Sequence, residues 1–456
     1  MDPNTPDTGP RARPGAAPPR RANGPWTESH ARVEAARCLY CFDAPCSRAC
    51  PAGVDVPEFI RSLNTGAYRA AARLVLSANA LAETCGCVCP VQQLCVGACV
   101  LAGIRGQSPI AIHRLQRFVA HWARENVIDV FERGWPTGRR VALIGGGPAS
   151  LACAYELARL GHQPVVFESR HCVGGLSAGS IAPHKLDPAL PAAEASWLAR
   201  IGIEIRTSIT VGREISFATL EREYDVIFLG VGLGPDAPLG IPGEDASPIL
   251  GAVEFLREVS TGRLTSPLPW QRVLCVGGGN AAIDAVRTLK DLGAAEVLLI
   301  RRRGEDEISG YVPEWAAARV AGVAARFRTQ AIAVLSREGR VTGLRCVRTV
   351  PGPATETARS RVVPLPGSEH EIVGDAIVRA VGRVGPKAIL PGLPQEIAFD
   401  GRRIAVDPET GATSRPGWFA GGDCANGGAN VVNAAADGRR VARAIDRYLA
   451  RRGREA

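Results

Sequence analysis

Lysine is almost missing from this chain: Lys185, Lys290 and Lys387 are the only three, and the other basic residues are arginine. No uncharged apolar run of about 18 residues occurs, so no membrane span is expected. The nearest candidate, Val141 to Ala158, carries three consecutive glycines, Pro148 and Glu156. The N-terminus has no apolar core segment, so no secretory signal is expected. Aromatic residues make up only 5% of the chain, and no basic stripe interleaves with them. Nucleic-acid binding is therefore not expected, in spite of a net charge of +9. The expected setting is a reducing cytoplasm, where clustered cysteines are read as metal ligands before disulfides.

What is present is informative. The 456 residues allow about three domains. Glycine is abundant, at 51 residues, which suits several tight nucleotide loops. Of 14 cysteines, nine lie between Cys38 and Cys99. Residues 1–30, rich in Pro, Arg and Gly, read as a disordered tail. Residues 31–135 hold the cysteine clusters and helix-like stretches, Val56 to Asn79 and Ile112 to Phe131. From residue 136 the pattern turns to short apolar strands, glycines and apolar helices. Residues 136–255 with 383–456 read as a split FAD-binding domain, and 256–382 as an NAD(P)H-binding domain. The fold class is α/β: a helical iron–sulfur domain, then two Rossmann-like domains in a glutathione-reductase-like arrangement. A further α/β barrel of about 250 residues has no room in this sequence.

Two cysteine motifs carry the metal chemistry. The first is Cys38-x2-Cys41-x4-Cys46-x3-Cys50-Pro51, and the second Cys89-Pro90-x4-Cys95-x3-Cys99. Dense thiolates suit soft metals and iron–sulfur clusters. In two-cluster ferredoxins the last Cys, before Pro, serves the other cluster. Cys38, Cys41 and Cys46 then hold one cluster and Cys50 goes to a second. Zinc sites usually show paired C-x2-C knuckles, and only one C-x2-C stands among these seven cysteines. Seven thiols leave two four-ligand clusters one ligand short. Cys85 and Cys87 are candidates on chemistry alone. Cys153, Cys172, Cys275 and Cys346 read as core residues, and Cys424 as a packing residue. His113, His121, His162, His171 and His184 show no ligand spacing.

Two glycine loops carry the nucleotide chemistry. Gly145-x-Gly147-x-x-Ser150 follows an apolar strand and opens a helix. The first glycine makes the turn, the second admits a pyrophosphate, and small Ser150 keeps helix and strand close. Glu168 ends the next strand, where a carboxylate accepts a ribose hydroxyl. Near the C-terminus, an apolar strand ends in Gly421-Gly422-Asp423, a recurrent second contact for a flavin dinucleotide. The other fingerprint is Gly277-Gly278-Gly279-Asn280-Ala281. Its second strand lacks a terminal carboxylate and ends in Arg301-Arg302-Arg303, which suits a 2′-phosphate. The nearby Glu305-Asp306-Glu307 run dilutes that charge. Two nucleotide sites make a hydride path from nicotinamide to flavin, and the flavin releases electrons singly to the clusters.

These residues resemble a family. Glu34 to Cys46, Cys50-Pro51, Cys89-Pro90 to Cys99, Gly145 to Ser150, Gly174-Gly175-Leu176, Gly277 to Asn280 and Gly421 to Asp423 are similar to the N-terminal half of dihydropyrimidine dehydrogenase. In bacteria that half is a separate flavin and iron–sulfur subunit. The resemblance implies a first [4Fe–4S] cluster on Cys38, Cys41, Cys46 and Cys99. It implies a second on Cys50, Cys89, Cys95 and Gln116, with Cys85 outside both. It implies FAD at Gly145, Gly147, Ala149, Ser150, Glu168, Gly175, Leu176, Lys185, Gly422 and Asp423. It implies NAD(P)H at Gly278, Gly279, Asn280, Ala281, Arg301 and Arg302. It further implies a hetero-oligomer with an FMN-containing subunit that reduces uracil or thymine. Two relatives share the machinery: the glutamate synthase small subunit, whose second cysteine motif is typically shorter, and the electron-bifurcating NADH–ferredoxin transhydrogenase, which typically carries glutamate at the Gln116 position.

Overall fold

Thr27 opens the first helix: its side chain accepts from the His30 amide and caps α1 (Glu28–Ala35). The computed structural model describes residues 26–352 and 362–455. Residues 1–25 of the expected tail lie outside the described residues. The last part of that stretch is not tail-like, because Trp26 packs on the core and α1 begins at Glu28.

Five more helices follow: α2 (Pro45–Arg48), α3 (Val56–Asn64), α4 (Tyr68–Ala78), α5 (Ala82–Val88) and α6 (Ile112–Glu125). Asp55 caps α3, whose Val56, Phe59, Ile60 and Leu63 form one buried stripe. The stretch from Val56 to Asn79 is two helices rather than one. Gly66, at φ +79°, takes the left-handed conformation that ends α3 and lets α4 fold back. Likewise α6 stops at Glu125, short of Phe131, where Val127 turns left-handed.

The chain then enters a parallel sheet through β1 (Arg140–Ile144), α7 (Pro148–Arg159), β2 (Gln163–Phe167), α8 (Ala189–Ala199), β3 (Glu204–Arg206), α9 (Phe217–Glu223) and β4 (Val226–Leu229). The buried runs of β1, β2 and β4 suit a sheet covered on both faces. A second parallel sheet is built from β5 (Ile249–Gly251), α10 (Ala252–Ser260), β6 (Arg272–Gly277), α11 (Asn280–Asp291), β7 (Glu296–Ile300), α12 (Val312–Val320) and β8 (Ala324–Arg326). Strands β9 (Thr329–Arg337), β10 (Arg340–Pro351), β11 (Val362–Pro364) and β12 (His370–Val373) pair antiparallel beside it, and β13 (Ala376–Ala380) returns to the parallel sheet. Its order is β5-β13-β6-β7-β8. The chain ends with β14 (Phe399–Asp400), β15 (Arg403–Ile404), β16 (Trp418–Ala420), α13 (Asp423–Asn426) and α14 (Val431–Glu455). Strand β16 completes the first sheet, in the order β16-β4-β1-β2-β3.

Two units result. One comprises residues 26–178, 185–234 and 385–455, the other 179–184 and 235–384. The second unit starts before residue 256, because β5 pairs with β13. Within the first unit the helices and the sheet share one apolar core, running from Phe59 and Leu115 through Leu151 and Leu157 to Val441 and Ile445. Among the described residues no helix is long and apolar enough to cross a membrane.

Candidate functional site: thiol pockets and two glycine loops

Cys38, Cys41, Cys46 and Cys99 line one apolar pocket, of roughly 380 Å³ with its open mouth, walled by Ile60 and Ile110. Cys99 lies far along the chain from the other three, so the fold, not local spacing, brings them together. Burial pushes the Cys46 thiol up to about 11, with Cys99 and Cys38 adding to the rise. Burial also raises Cys38, beside Cys41 and Cys99. A second group forms from Cys50, Cys89 and Cys95. Hydrogen bonding with Cys85 and then burial lift Cys89, with Cys95 and Cys50 adding. Burial pushes Cys95 up to about 12, with Cys50 adding. Among the described residues no three His, Cys, Asp or Glu side chains close on a single metal ion. The first four thiols instead rim a space, and their donor set fits a four-thiolate iron–sulfur cluster.

Gln116 is buried on the α6 face that meets α5, and its Nε2 donates to Ala82 O at 2.8 Å. Cys89 is the C-cap of that same α5. At the other end of α5, Glu194 of α8 accepts from Glu83 N at 2.8 Å and Thr84 N at 3.3 Å. Burial pushes Glu194 up to about 7. The Glu83 side chain turns to α6, meeting His121 Nδ1 and Arg124 Nε at 2.8 Å each. Burial raises the Glu83 carboxyl, but these two partners outweigh it and hold the group below its usual value.

The first glycine loop is shaped for a phosphate. Gly145 has φ +93°, and a Cβ there would lie 2.7 Å from Gly230 O. The Cβ position of Gly147 faces open space, with Gly230 O the nearest atom at 3.8 Å. Gly147 is the N-cap of α7, so Ala149 and Ser150 fall in a first turn whose amides lack helical acceptors. Ser150 Oγ is buried without a hydrogen-bond partner. Glu168 Oε2 accepts from Gly146 N at 2.6 Å, and its Oε1 from Arg170 N at 2.9 Å. Gly175, at φ +58°, would place a Cβ 3.0 Å from the Gly147 Cα, and Gly174 N donates to Gly146 O. Leu176 follows in the same turn, and Lys185 lies half-buried before α8. The distant motif closes on this loop, since a Cβ on Gly422 would lie 2.8 Å from the Ala149 Cβ. Asp423 Oδ1 accepts from Ala429 N. These cradles and the unpartnered hydroxyl fit an FAD pyrophosphate and ribose.

In the second unit, Gly279 caps α11, and its Cβ position is open, with Ser309 Oγ the nearest atom at 3.9 Å. Asn280 and Ala281 form the first turn, and Asn280 Oδ1 accepts from Tyr311 N at 2.8 Å. Arg301 lies against Gly278, where a Cβ would collide with its guanidinium, and donates to Glu307 O. Arg302 is exposed. The acidic run is engaged locally: Glu305 accepts from Trp315 Nε1 and Arg319, and Glu307 faces Arg303 and the Gly304 amide. This loop fits a nicotinamide dinucleotide, with Arg301 against its glycine turn.

Comparison with known proteins agrees with this geometry. Residues 139–438 match the family model for pyridine nucleotide-disulphide oxidoreductases. Residues 20–128 match the model for dihydropyrimidine dehydrogenase domain II with its 4Fe-4S cluster. The chain belongs to the pyridine nucleotide-disulphide oxidoreductase family. It is 34% identical to the glutamate synthase [NADPH] small chain of Escherichia coli K12, over 93% of both chains. It is 32% identical to the NAD-dependent dihydropyrimidine dehydrogenase subunit PreT of the same organism, over 93% of this chain and 95% of that one. It is 34% identical to the NADP(+)-dependent formate dehydrogenase subunit beta of Moorella thermoacetica, covering 89% of this chain but only 60% of that protein. Among solved structures, Mycobacterium tuberculosis FprA in complex with NADPH shares the fold, with a TM-score of 0.57 at 18% identity over 70% of this chain and 86% of that one.

This family member is thus an NAD(P)H-dependent flavin and iron–sulfur oxidoreductase, with a helical 4Fe-4S domain ahead of two Rossmann domains. Some residues that shape its sites carried no motif. Gly230 closes on Ser150 Oγ, and its signal was an apolar strand, β4, ending in glycine. Gly438 and Glu194 sit inside helices and had no such signal. Cys153, Cys275 and Cys346 are buried core residues, and the Cys424 thiol packs on Leu229 O and Gly421 O. His162 pairs with Asp446, and Cys172 is half-buried.

Proposed function

We propose that the chain is the electron-input subunit of a dihydropyrimidine dehydrogenase. It oxidises NAD(P)H through FAD and passes electrons through two [4Fe–4S] clusters to an FMN-containing partner that reduces uracil or thymine. When bound, FAD supplies the conversion of a two-electron hydride into single electrons. The chain's own residues position the cofactors. The first turn of α7, with Gly147 and Ser150, takes the FAD pyrophosphate, Glu168 the ribose and Asp423 the ribityl chain. Gly278, Gly279 and the first turn of α11 take the nicotinamide nucleotide, with Arg301 and Arg302 at its adenosine phosphate. Cys38, Cys41, Cys46 and Cys99 hold one cluster, and Cys50, Cys89, Cys95 and Gln116 the other.

The observation that carries this reading is Gln116, a buried amide on the helix that packs on α5, whose C-cap is Cys89. The resemblance to dihydropyrimidine dehydrogenase implies a glutamine ligand at this position. The 34% identity to a glutamate synthase small chain over 93% of both chains favours a second reading, in which the same machinery serves an amide-transferring partner. The purified chain should oxidise NAD(P)H with a dye. It should reduce uracil only when the FMN-containing subunit of a bacterial dihydropyrimidine dehydrogenase is added. Uracil reduction by the chain alone overturns the proposal. So does inactivity with that subunit alongside glutamate formation with a glutamate synthase large subunit.

A further inference from the structure

Glu194 belongs to no nucleotide or cysteine motif, yet it is 1% exposed. It projects from α8 of the sheet onto the first turn of α5, where the amides of Glu83 and Thr84 donate to its carboxylate. Helix α5 ends on Cys89, and its first residue, Ala82, receives the Gln116 amide. One buried carboxylate therefore ties the flavin-side sheet to the helix that leads into the second thiol group. The charged and titratable groups around it are Glu83 and Cys87 on α5, with His121 and Arg124 on α6 paired to Glu83 and Arg117 beside Cys87.

We propose that Glu194 is a positioning residue of the electron path, which takes up one proton when an electron arrives at the Cys50, Cys89 and Cys95 group and returns it when the electron leaves. This rests on the functional reading above, in which those thiols hold a cluster. The balance is simple. One electron, originating in NAD(P)H and delivered by way of the flavin, adds one negative charge. One proton from water converts the Glu194 carboxylate to its acid. Passage of the electron to the next acceptor releases that proton to water. The reason is electrostatic: Glu194 is buried and the three thiols at the far end of α5 are half-buried, so a second negative charge there is costly, and protonation of the carboxylate removes one. Burial sets this carboxyl near 7, so both forms are accessible at neutral pH.

The test is an EPR-monitored redox titration of the full, cluster-loaded chain on either side of pH 7, for the wild type and Glu194→Gln. In the wild type one cluster's midpoint potential should fall as pH rises, and in Glu194→Gln that dependence should be lost at equal iron and FAD content. The same pH dependence in both overturns the proposal. If the variant fails to load, an infrared difference spectrum of the wild type decides. Reduction should produce a protonated-carboxyl band that shifts in D2O, and its absence overturns the proposal. A chain that holds no iron or sulfide overturns the functional reading and this inference together, whereas a loaded chain with pH-independent potentials overturns only the inference.

Discussion

Gly438 of α14 leaves no space above Ala149 of α7: a Cβ on residue 438 would overlap the Ala149 carbonyl oxygen and lie 2.9 Å from its carbonyl carbon. The side chain of the same alanine meets Gly422, where a Cβ would lie 2.8 Å from the Ala149 Cβ. Two glycines thus clamp the first turn of the fingerprint helix, one from each of two C-terminal segments.

Gly438→Ala should therefore act on the flavin. Helix α14 must shift outward, at a cost of about 1–3 kcal/mol for overpacking. The purified variant should show a lower melting temperature and less bound FAD per chain. Unchanged FAD content would show that the clamp does not shape the site.

Glu168→Ala should weaken FAD binding by roughly tenfold or more. It removes the proposed ribose acceptor and also strips Gly146 N of its 2.6 Å partner, a loss of about 1–3 kcal/mol for a buried donor. Fluorescence titration of apoprotein with FAD measures it.

Arg302→Ala should separate the nicotinamide cofactors. Arg302 is exposed, whereas Arg301 lies against the glycine turn. If Arg302 meets a 2′-phosphate, its removal raises the KM for NADPH by roughly tenfold and leaves that for NADH unchanged. Equal effects on both would assign it elsewhere.

Gln116→Leu should lower the iron content from about eight to about four per chain if the amide is a ligand, and Cys99→Ser should do the same at the other site. Anaerobic iron and sulfide analysis reads both. Full iron in Gln116→Leu would remove glutamine from the ligand set.

Stability should respond to pH through Glu194. Its carboxyl ionises near 4.5 when unfolded and near 7 in the fold. A raised carboxyl binds more protons folded than unfolded across that window, so its contribution is complete below about 4.5 and is lost as pH rises to about 7. Relative to Glu194→Gln, the wild type should lose stability over this range and run parallel above it. Denaturant midpoints for the pair at several pH values provide the check.

Both fingerprints were legible because their chemistry is local: a strand, a glycine turn and a helix start lie within a dozen residues. The strand of Val141 to Ile144 and the helix after Gly279 stand where the pattern puts them. The break at Gly66 was less legible, since apolar spacing continues across it. Glu194 left no trace in the sequence, because its partners on α5 are more than a hundred positions away and are backbone amides, which have no identity to read. Gly438 was hidden for a related reason. A glycine inside a helix looks like a weak helix former until the neighbouring helix is in place.

The pocket of Cys38, Cys41, Cys46 and Cys99 also has a history within synthesis. Three of its thiols leave the ribosome together, and the fourth emerges only after α3, α4 and α5 have been made. Ile60 of α3 must already be in place to form the wall. If a cluster forms there as proposed, iron offered before residue 99 appears would meet three thiols and an open side. Under the proposed ligand set, assembly at this pocket would wait on Cys99 and then on the wall residues Ile110 and Ile112, which the ribosome delivers later still.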